Sequence, residues 1–293
     1  MSYLDKLKNS ALEVGNVVCM GLDPILSALP HEELDTRERI SSYFAELFKR
    51  MTLEGAFPSA FKPNLGYYAS LDRPREEDFS GSLALVDILE LIDTYFPGIP
   101  VILDSKRGDI ARSSGNYAKE AFEVWGADAV TVSPYMGTDS VMPFAFEDKG
   151  VYVLNRTSNP GSADLQNRSV IDRIEEREVH PLYRSIAHKI VEWSRDHKGI
   201  GAVVGATNMA ELEDIASYYS SEDIPMLIPG VGSQGGSAPE VIHALKKTGY
   251  PLELARINSS SGLTHPWKKG PAPDTYLEDA MAAIKKLLEE AAI

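Results

Sequence analysis

The stretch PVILDSKRGDI, residues 100–110, decides how this chain is read. It opens as a β-favouring apolar run without alternation and ends in a knot of charge. A parallel strand covered on both faces needs such an uninterrupted run, whereas a strand with one wet face alternates. The same design recurs in VVCMGLD (17–23), SAFKPN (59–64), ADAVTVSP (127–134), GVYVLNRT (150–157), IGAVVGAT (200–207), PMLIPGVG (225–232) and LELARINSS (252–260). With residues 100–106 that makes eight strands. The intervals have helical periodicity. Residues 40–52 set Ile40, Phe44, Leu47, Phe48 and Met51 on one face, and residues 82–95 space Leu85, Leu89 and Ile92 before the stop signal Pro97-Gly98. Residues 181–197, 209–219, 238–247 and 274–291 behave alike. Stripes such as Phe44/Phe48 are assigned to the core. Eight strands alternating with helices predict a (β/α)8 barrel, one α/β domain over residues 1–293. The rival is a doubly wound open sheet.

Composition narrows the function. The chain has 293 residues, with 29 Lys+Arg against 43 Asp+Glu and a net charge of −14. A nucleic-acid binder or a protein held on an anionic membrane needs a basic surface, so neither partner is expected. A few placed cations can still make a pocket for an anionic small molecule. The single cysteine, Cys19, forms no intrachain disulfide or thiolate cluster, and its apolar run predicts a buried thiol. The first residues, MSYLDKLKNS, contain no apolar signal core, and no run approaches the ~18 residues of a membrane span. A reducing, cytoplasmic setting is the expectation.

The strand ends are unusually charged. Asp23 ends the first, Lys62 and Asn64 the second, Asp104 and Lys106 the third, with Asp109 just beyond. Asn155-Arg156-Thr157-Ser158 closes the fifth and Asn258-Ser259-Ser260-Ser261 the eighth. A charge inside a parallel strand is costly unless it is paired. Two readings stand: ion pairs that hold the top of the barrel together, or a catalytic site at the end where barrel enzymes do chemistry. Residues two apart on a strand share a face, so Asp104 and Lys106 both point into the mouth, Gly108 turns the chain and Asp109 follows, with Lys62 joining from the neighbouring strand. Alternating Asp and Lys keeps every member ionised. A lysine in that setting can stabilise a carbanion and then protonate it.

DSKRGDI resembles the D-x-K-x-x-D-[IV] signature of orotidine 5′-phosphate decarboxylases, carried here by Asp104, Lys106, Asp109 and Ile110. GLDP with Asp23, FKPN with Lys62, TSNPG with Ser158 and PGVGSQGG with Gln234 follow the family's order, over residues 17 to 263. Length and the TSNPG form resemble the longer, type 2-like subgroup. The resemblance implies a cofactor-free, metal-free decarboxylation of orotidine 5′-phosphate to uridine 5′-phosphate in pyrimidine biosynthesis, by a homodimer of barrels. It implies catalytic roles for Lys62, Asp104, Lys106 and Asp109, with Asp109 and Ile110 reaching into the partner's site. Asp23 and Ser113 would meet the ribose, Ser158 the pyrimidine, and Gln234 the phosphate; Pro229, Ser260 and Ser261 are further substrate-binding candidates.

Gly230-Val231-Gly232-Ser233-Gln234-Gly235 also fits G-x-G-x-x-G, with Glu253 near the spacing of a dinucleotide site. A phosphate cradle of loop amides in a barrel needs the same glycines and is preferred, because too little chain follows for a dinucleotide fold. One departure stands out: Ser261 occupies the place of the family's phosphate-gripping arginine. Hydroxyls of Ser260 and Ser261, or Arg256, Lys268 or Lys269, are the substitutes, and Arg256 is equally readable as a member of an ion pair. Tyr67-Tyr68 reads as helix packing or pocket wall. The six histidines lack zinc-site spacing, and most are expected at the surface. The competing functions are a Mg²⁺-dependent sugar-phosphate decarboxylase or epimerase, disfavoured by Lys62 where a carboxylate ligand belongs, a Schiff-base aldolase, disfavoured by aspartates that keep the lysines charged, and a nucleotide-binding barrel without turnover.

Overall fold

The computed structural model describes residues 1–171, 179–232, 235–267 and 270–293. Among the described residues, ten strands follow in chain order: β1 (Val18–Leu22), β2 (Ala60–Pro63), β3 (Ile102–Arg107), β4 (Ala129–Val132), β5 (Gly150–Arg156), β6 (Ser169–Ile171), β7 (Val179–Pro181), β8 (Ile200–Val204), β9 (Met226–Pro229) and β10 (Ala255–Ser259). The apolar runs of the sequence became the fully buried strands β1, β2, β4 and β8. Eight strands form one sheet in the order β2-β1-β10-β9-β8-β5-β4-β3, and every pairing in it is parallel. The two ends of that order meet. β2 touches β3 through the parallel bridges Phe61–Val101 and Asn64–Asp104, with the Phe61 N–H donating to Pro100 O at 3.0 Å. The sheet is therefore a barrel, and the open doubly wound alternative falls. The β2–β3 seam is its thinnest join, because isolated bridges replace a ladder there.

The helices are α1 (Tyr3–Val14), α2 (Thr36–Leu53), α3 (Leu65–Ala69), α4 (Ser80–Tyr95), α5 (Ala111–Lys119), α6 (Thr138–Val141), α7 (Leu182–Asp196), α8 (Met209–Tyr219), α9 (Ala238–Lys247), α10 (Ser261–Thr264) and α11 (Tyr276–Glu290). The six helices legible from periodicity are α2, α4, α7, α8, α9 and α11. α2 starts earlier than its apolar stripe because Asp35 caps it, accepting from the Glu38 N–H at 2.9 Å. Phe44 and Phe48 are core, as expected; their ring centroids lie 5.7 Å apart and Phe48 continues to Phe61 at 5.4 Å. Between β4 and β5 no full helix forms: Gly137 and Pro143 confine that interval to α6 and one 3₁₀ turn. β6 and β7 pair antiparallel in a sheet apart from that of the barrel.

α1 plugs the N-terminal mouth. Ser2 and Asp5 form a capping box, and Tyr3, Leu7 and Ala11 repeat at one helical turn, all buried. The Tyr3 hydroxyl donates to Tyr152 at 3.0 Å. Its ring lies so close on Gly150 that an added Cβ there would come within 2.3 Å of it. Arg256, fully buried, donates to Leu7 O, to Ser10 Oγ at 2.8 Å, to Ala255 O at 2.7 Å and to Glu253 O at 3.2 Å. This corrects both sequence readings of Arg256. Its partners are carbonyls and a hydroxyl rather than a carboxylate, and it serves the end opposite the charged strand termini. The histidine expectation is also corrected, since only His243 of the six is exposed and His265 is buried. Cys19 is buried as expected, and burial pushes its thiol up to about 12. Among the described residues, no helix is long and apolar enough to cross a membrane.

Candidate active site

The C-terminal ends of the barrel strands enclose a cavity of about 510 Å³. Its floor is a hydrogen-bonded chain of charge. Lys62 Nζ donates to Asp104 Oδ2 at 2.9 Å and Lys106 Nζ to Asp104 Oδ1 at 2.6 Å. Asp104 also accepts from Thr131 Oγ1 at 2.8 Å on Oδ1 and from Asn64 Nδ2 at 3.4 Å on Oδ2. All the acceptor positions of this carboxylate are occupied. Burial alone would raise the Asp104 carboxyl, but Lys62 first and Lys106 second outweigh it and hold the group well below the usual carboxylate range. Burial equally opposes charge on Lys62, yet Asp104 and then Asp23 keep its ammonium more firmly protonated than an ordinary lysine. Lys106 differs in access: its side chain is 48% exposed, against 5% for Lys62.

The sequence expected Asp104 and Lys106 to share a face by strand alternation. They do meet, by a less regular route. The register between β3 and β4 shifts between Leu103 and Arg107, and Lys106 takes φ +46°. The Ser105 and Lys106 N–H groups turn together onto Thr131 Oγ1, at 3.1 and 3.0 Å. Beyond the bulge, Arg107 forks onto Glu120 at 2.9 Å and stacks on Tyr117, and the chain leaves the wall of the cavity. Asp109 then accepts from the Ile110 N–H at 2.7 Å, and Ile110 is 55% exposed.

The cavity gathers Asp23, Lys62, Asp104, Lys106, Ser158, Pro229 and Ser260 of the sequence candidates. It does not gather Asp109, Ile110, Ser113 or Ser261 within one chain. Ser113 lies in the first turns of α5, and Ser261 opens α10. Gln234, Lys268 and Lys269 lie outside the described residues. Two glycines let wall hydroxyls approach: a Cβ on Gly21 would lie 2.5 Å from Ser260 Cβ, and one on Gly205 would lie 2.8 Å from Ser158. Of the expected cradle of loop amides, three are already engaged. Gly232, Gly235 and Gly236 donate their N–H groups to Gly236 O, Gly232 O and Gly230 O, so these three amides are spent folding the loop on itself. Positive φ at Gly230, Gly232 and Gly235 makes that fold possible.

Tyr67 and Tyr68 divide the two readings between them. Tyr67 lines the cavity, while Tyr68 is buried with its hydroxyl on Leu22 O at 2.7 Å. Sequence reasoning missed Thr131, Asn159 and Gln166 on the cavity wall. Gln166 is pinned by the Thr157 N–H at 2.9 Å and donates to Thr157 Oγ1 at 2.8 Å. No spacing rule points to it. Thr131 had one signal, a hydroxyl within an otherwise apolar run.

The comparisons agree with this geometry. A model of the "Orotidine 5'-phosphate decarboxylase / HUMPS family" matches residues 18–250. An orotidine 5′-phosphate decarboxylase of Delftia acidovorans is 35% identical over 293 residues, covering 100% of this chain and 99% of the relative. One from Cupriavidus metallidurans is 39% identical over 268 residues, covering 90% of each. A crystal structure described as a putative orotidine-monophosphate decarboxylase from Toxoplasma gondii superposes with TM-score 0.78 at 27% identity, over 99% of this chain and 96% of that one.

Proposed function

Because the chain belongs to the orotidine 5′-phosphate decarboxylase / HUMPS family, we propose that it acts as the decarboxylase, without metal or cofactor, through the Lys62–Asp104–Lys106 chain. That chain at the cavity floor is the observation that carries the reading. The HUMPS side of the family would place divalent metal among carboxylates, and here Lys62 presents an ammonium to Asp104 instead.

The substrate carboxylate would lie against Asp104, an anion held ionised by two ammonium groups. Like charges so placed favour the departure of neutral carbon dioxide. The C6–carboxyl bond breaks and its electron pair stays on C6. The Lys106 ammonium, preorganised by a 2.6 Å bond, stabilises that pair and then gives C6 its proton. Its half-exposed side chain regains a proton from solvent. Lys62, buried and locked, keeps Asp104 in place. Asp23 would meet the ribose and Ser158 the pyrimidine. Ser259, Ser260 and Gln234 would meet the phosphate, with Ser261 leaving no arginine at that position.

Asp109 and Ile110 would complete the site of a second copy. Support comes from the apolar surface on the loops after β3 and β4, where Ile110 is 55%, Tyr135 84% and Met136 50% exposed. The decisive assay follows loss of orotidine 5′-phosphate absorbance in excess chelator. Turnover that survives the chelator is expected; turnover that stops on chelation, or none at all, overturns the reading.

A further inference from the structure

We propose that Thr131 is a positioning residue that sets both the backbone and the partner of Lys106. The inference rests on the decarboxylase reading above for its kinetic consequence only. Thr131 is 1% exposed and lines the cavity. Its single hydroxyl makes three bonds at once. It accepts from the Ser105 N–H at 3.1 Å and the Lys106 N–H at 3.0 Å, and it donates to Asp104 Oδ1 at 2.8 Å. A hydroxyl has one proton and two lone pairs, so all its capacity is used.

The backbone those bonds hold is an unfavourable one. Lys106 sits at φ +46°, in the left-handed region that a side chain with a Cβ avoids, at the point where the β3–β4 register slips. Such a conformation persists only when its surroundings over-determine it. Two convergent N–H bonds to one oxygen are that determination. The consequence reaches the reacting atom. With the bulge in place, Lys106 Nζ falls on Asp104 Oδ1, the same oxygen that Thr131 fixes. With the bulge relaxed to regular strand, the lysine would keep its charge and lose its aim. The hydroxyl itself need touch no substrate.

Thr131→Val keeps the branched shape and removes the hydroxyl, and Thr131→Ser keeps the hydroxyl. In steady-state decarboxylation, Thr131→Val is expected to lose about 10²-fold in kcat, the scale of a misplaced reacting group. KM should stay within about threefold, because binding groups are untouched. Thr131→Ser should recover to within about threefold of wild type. Amide hydrogen exchange supplies a readout independent of activity: the Ser105 and Lys106 amides are slow in wild type and should quicken selectively in Thr131→Val. Wild-type kcat in Thr131→Val, or equal damage in Thr131→Ser, overturns the proposal. So does unchanged exchange at those two amides, even if the wild-type protein proves inactive on orotidine 5′-phosphate. That last inactivity, with selective quickening present, would overturn the decarboxylase reading and leave the positioning role standing.

Discussion

The two mouths of the barrel each bury a cation, and they treat it in opposite ways. At the C-terminal mouth Lys62 is 4% exposed and faces Asp104, with a cavity above it. At the N-terminal mouth Arg256 is fully buried among carbonyl oxygens and a serine hydroxyl, under the lid of α1. The neighbouring aspartates hold Lys62 protonated, whereas burial draws Arg256 below its ordinary value. A guanidinium tolerates this because its starting value is so high and its two terminal nitrogens donate to three carbonyls and the Ser10 hydroxyl, leaving only Nε without a partner. On the decarboxylase reading, the buried charge that serves chemistry is the one with a counter-ion and open space beside it. Where only neutral carbonyls and a hydroxyl surround a buried charge and a helix closes over it, it acts as a fastener.

The sharpest way to break that contrast is Lys106→Ala. Removing the half-exposed lysine should lower kcat by at least about 10⁴-fold, the combined scale of general-acid and electrostatic terms, with little change in melting temperature. Retention of a tenth of the activity would show the C-terminal charges to be fasteners too.

Asp104→Asn should cost about 3–5 kcal/mol of stability, because it leaves Lys62 buried without its counter-ion. The same pair gives a pH signature. Asp104 is held below its unfolded value of about 3.9, so the stability it lends is full above about pH 5 and drains as pH falls through about 4 toward the lower folded value. Acid titration by chemical denaturation should show wild type losing stability faster than Asp104→Asn in that window, and parallel slopes would contradict the assignment.

At the other mouth, Arg256→Leu should cost about 2–3 kcal/mol, from carbonyls left without donors, and leave kcat of the folded protein within about twofold. A large loss of kcat with unchanged KM would join the two mouths functionally and end the comparison.

What could be read from sequence follows from how local each cause is. The strands were legible because burial on both faces writes itself as an apolar run, and Lys62, Asp104 and Lys106 stood out because charge in such a run must be paired, whether to hold the barrel or to do chemistry. α5 was not legible, since Ser113-Ser114-Gly115-Asn116 are weak helix formers that form a helix here in the fold. α1 carried its cap and its Tyr3/Leu7/Ala11 stripe openly, but short stripes are common and only the Arg256 contacts explain why it docks. The loop amides looked free because a glycine pattern does not say where each N–H points. The Thr131 hydroxyl was hidden for a related reason: its value lies in a register slip one strand away, which no spacing within its own strand records.

The seam between β2 and β3 gives the cavity a further property. Isolated bridges close the barrel there, and one of them, Asn64–Asp104, involves the residue that receives Lys62. The Lys62–Asp104 pair is thus also a side-chain link across that seam. On the decarboxylase reading, a lineage that let Lys62 or Asp104 drift would weaken catalysis and closure in the same step. Lys62 and Asp104 therefore cannot be altered without touching the barrel's closure, whereas Lys106, which meets Asp104 within its own strand, can be lost with the fold intact.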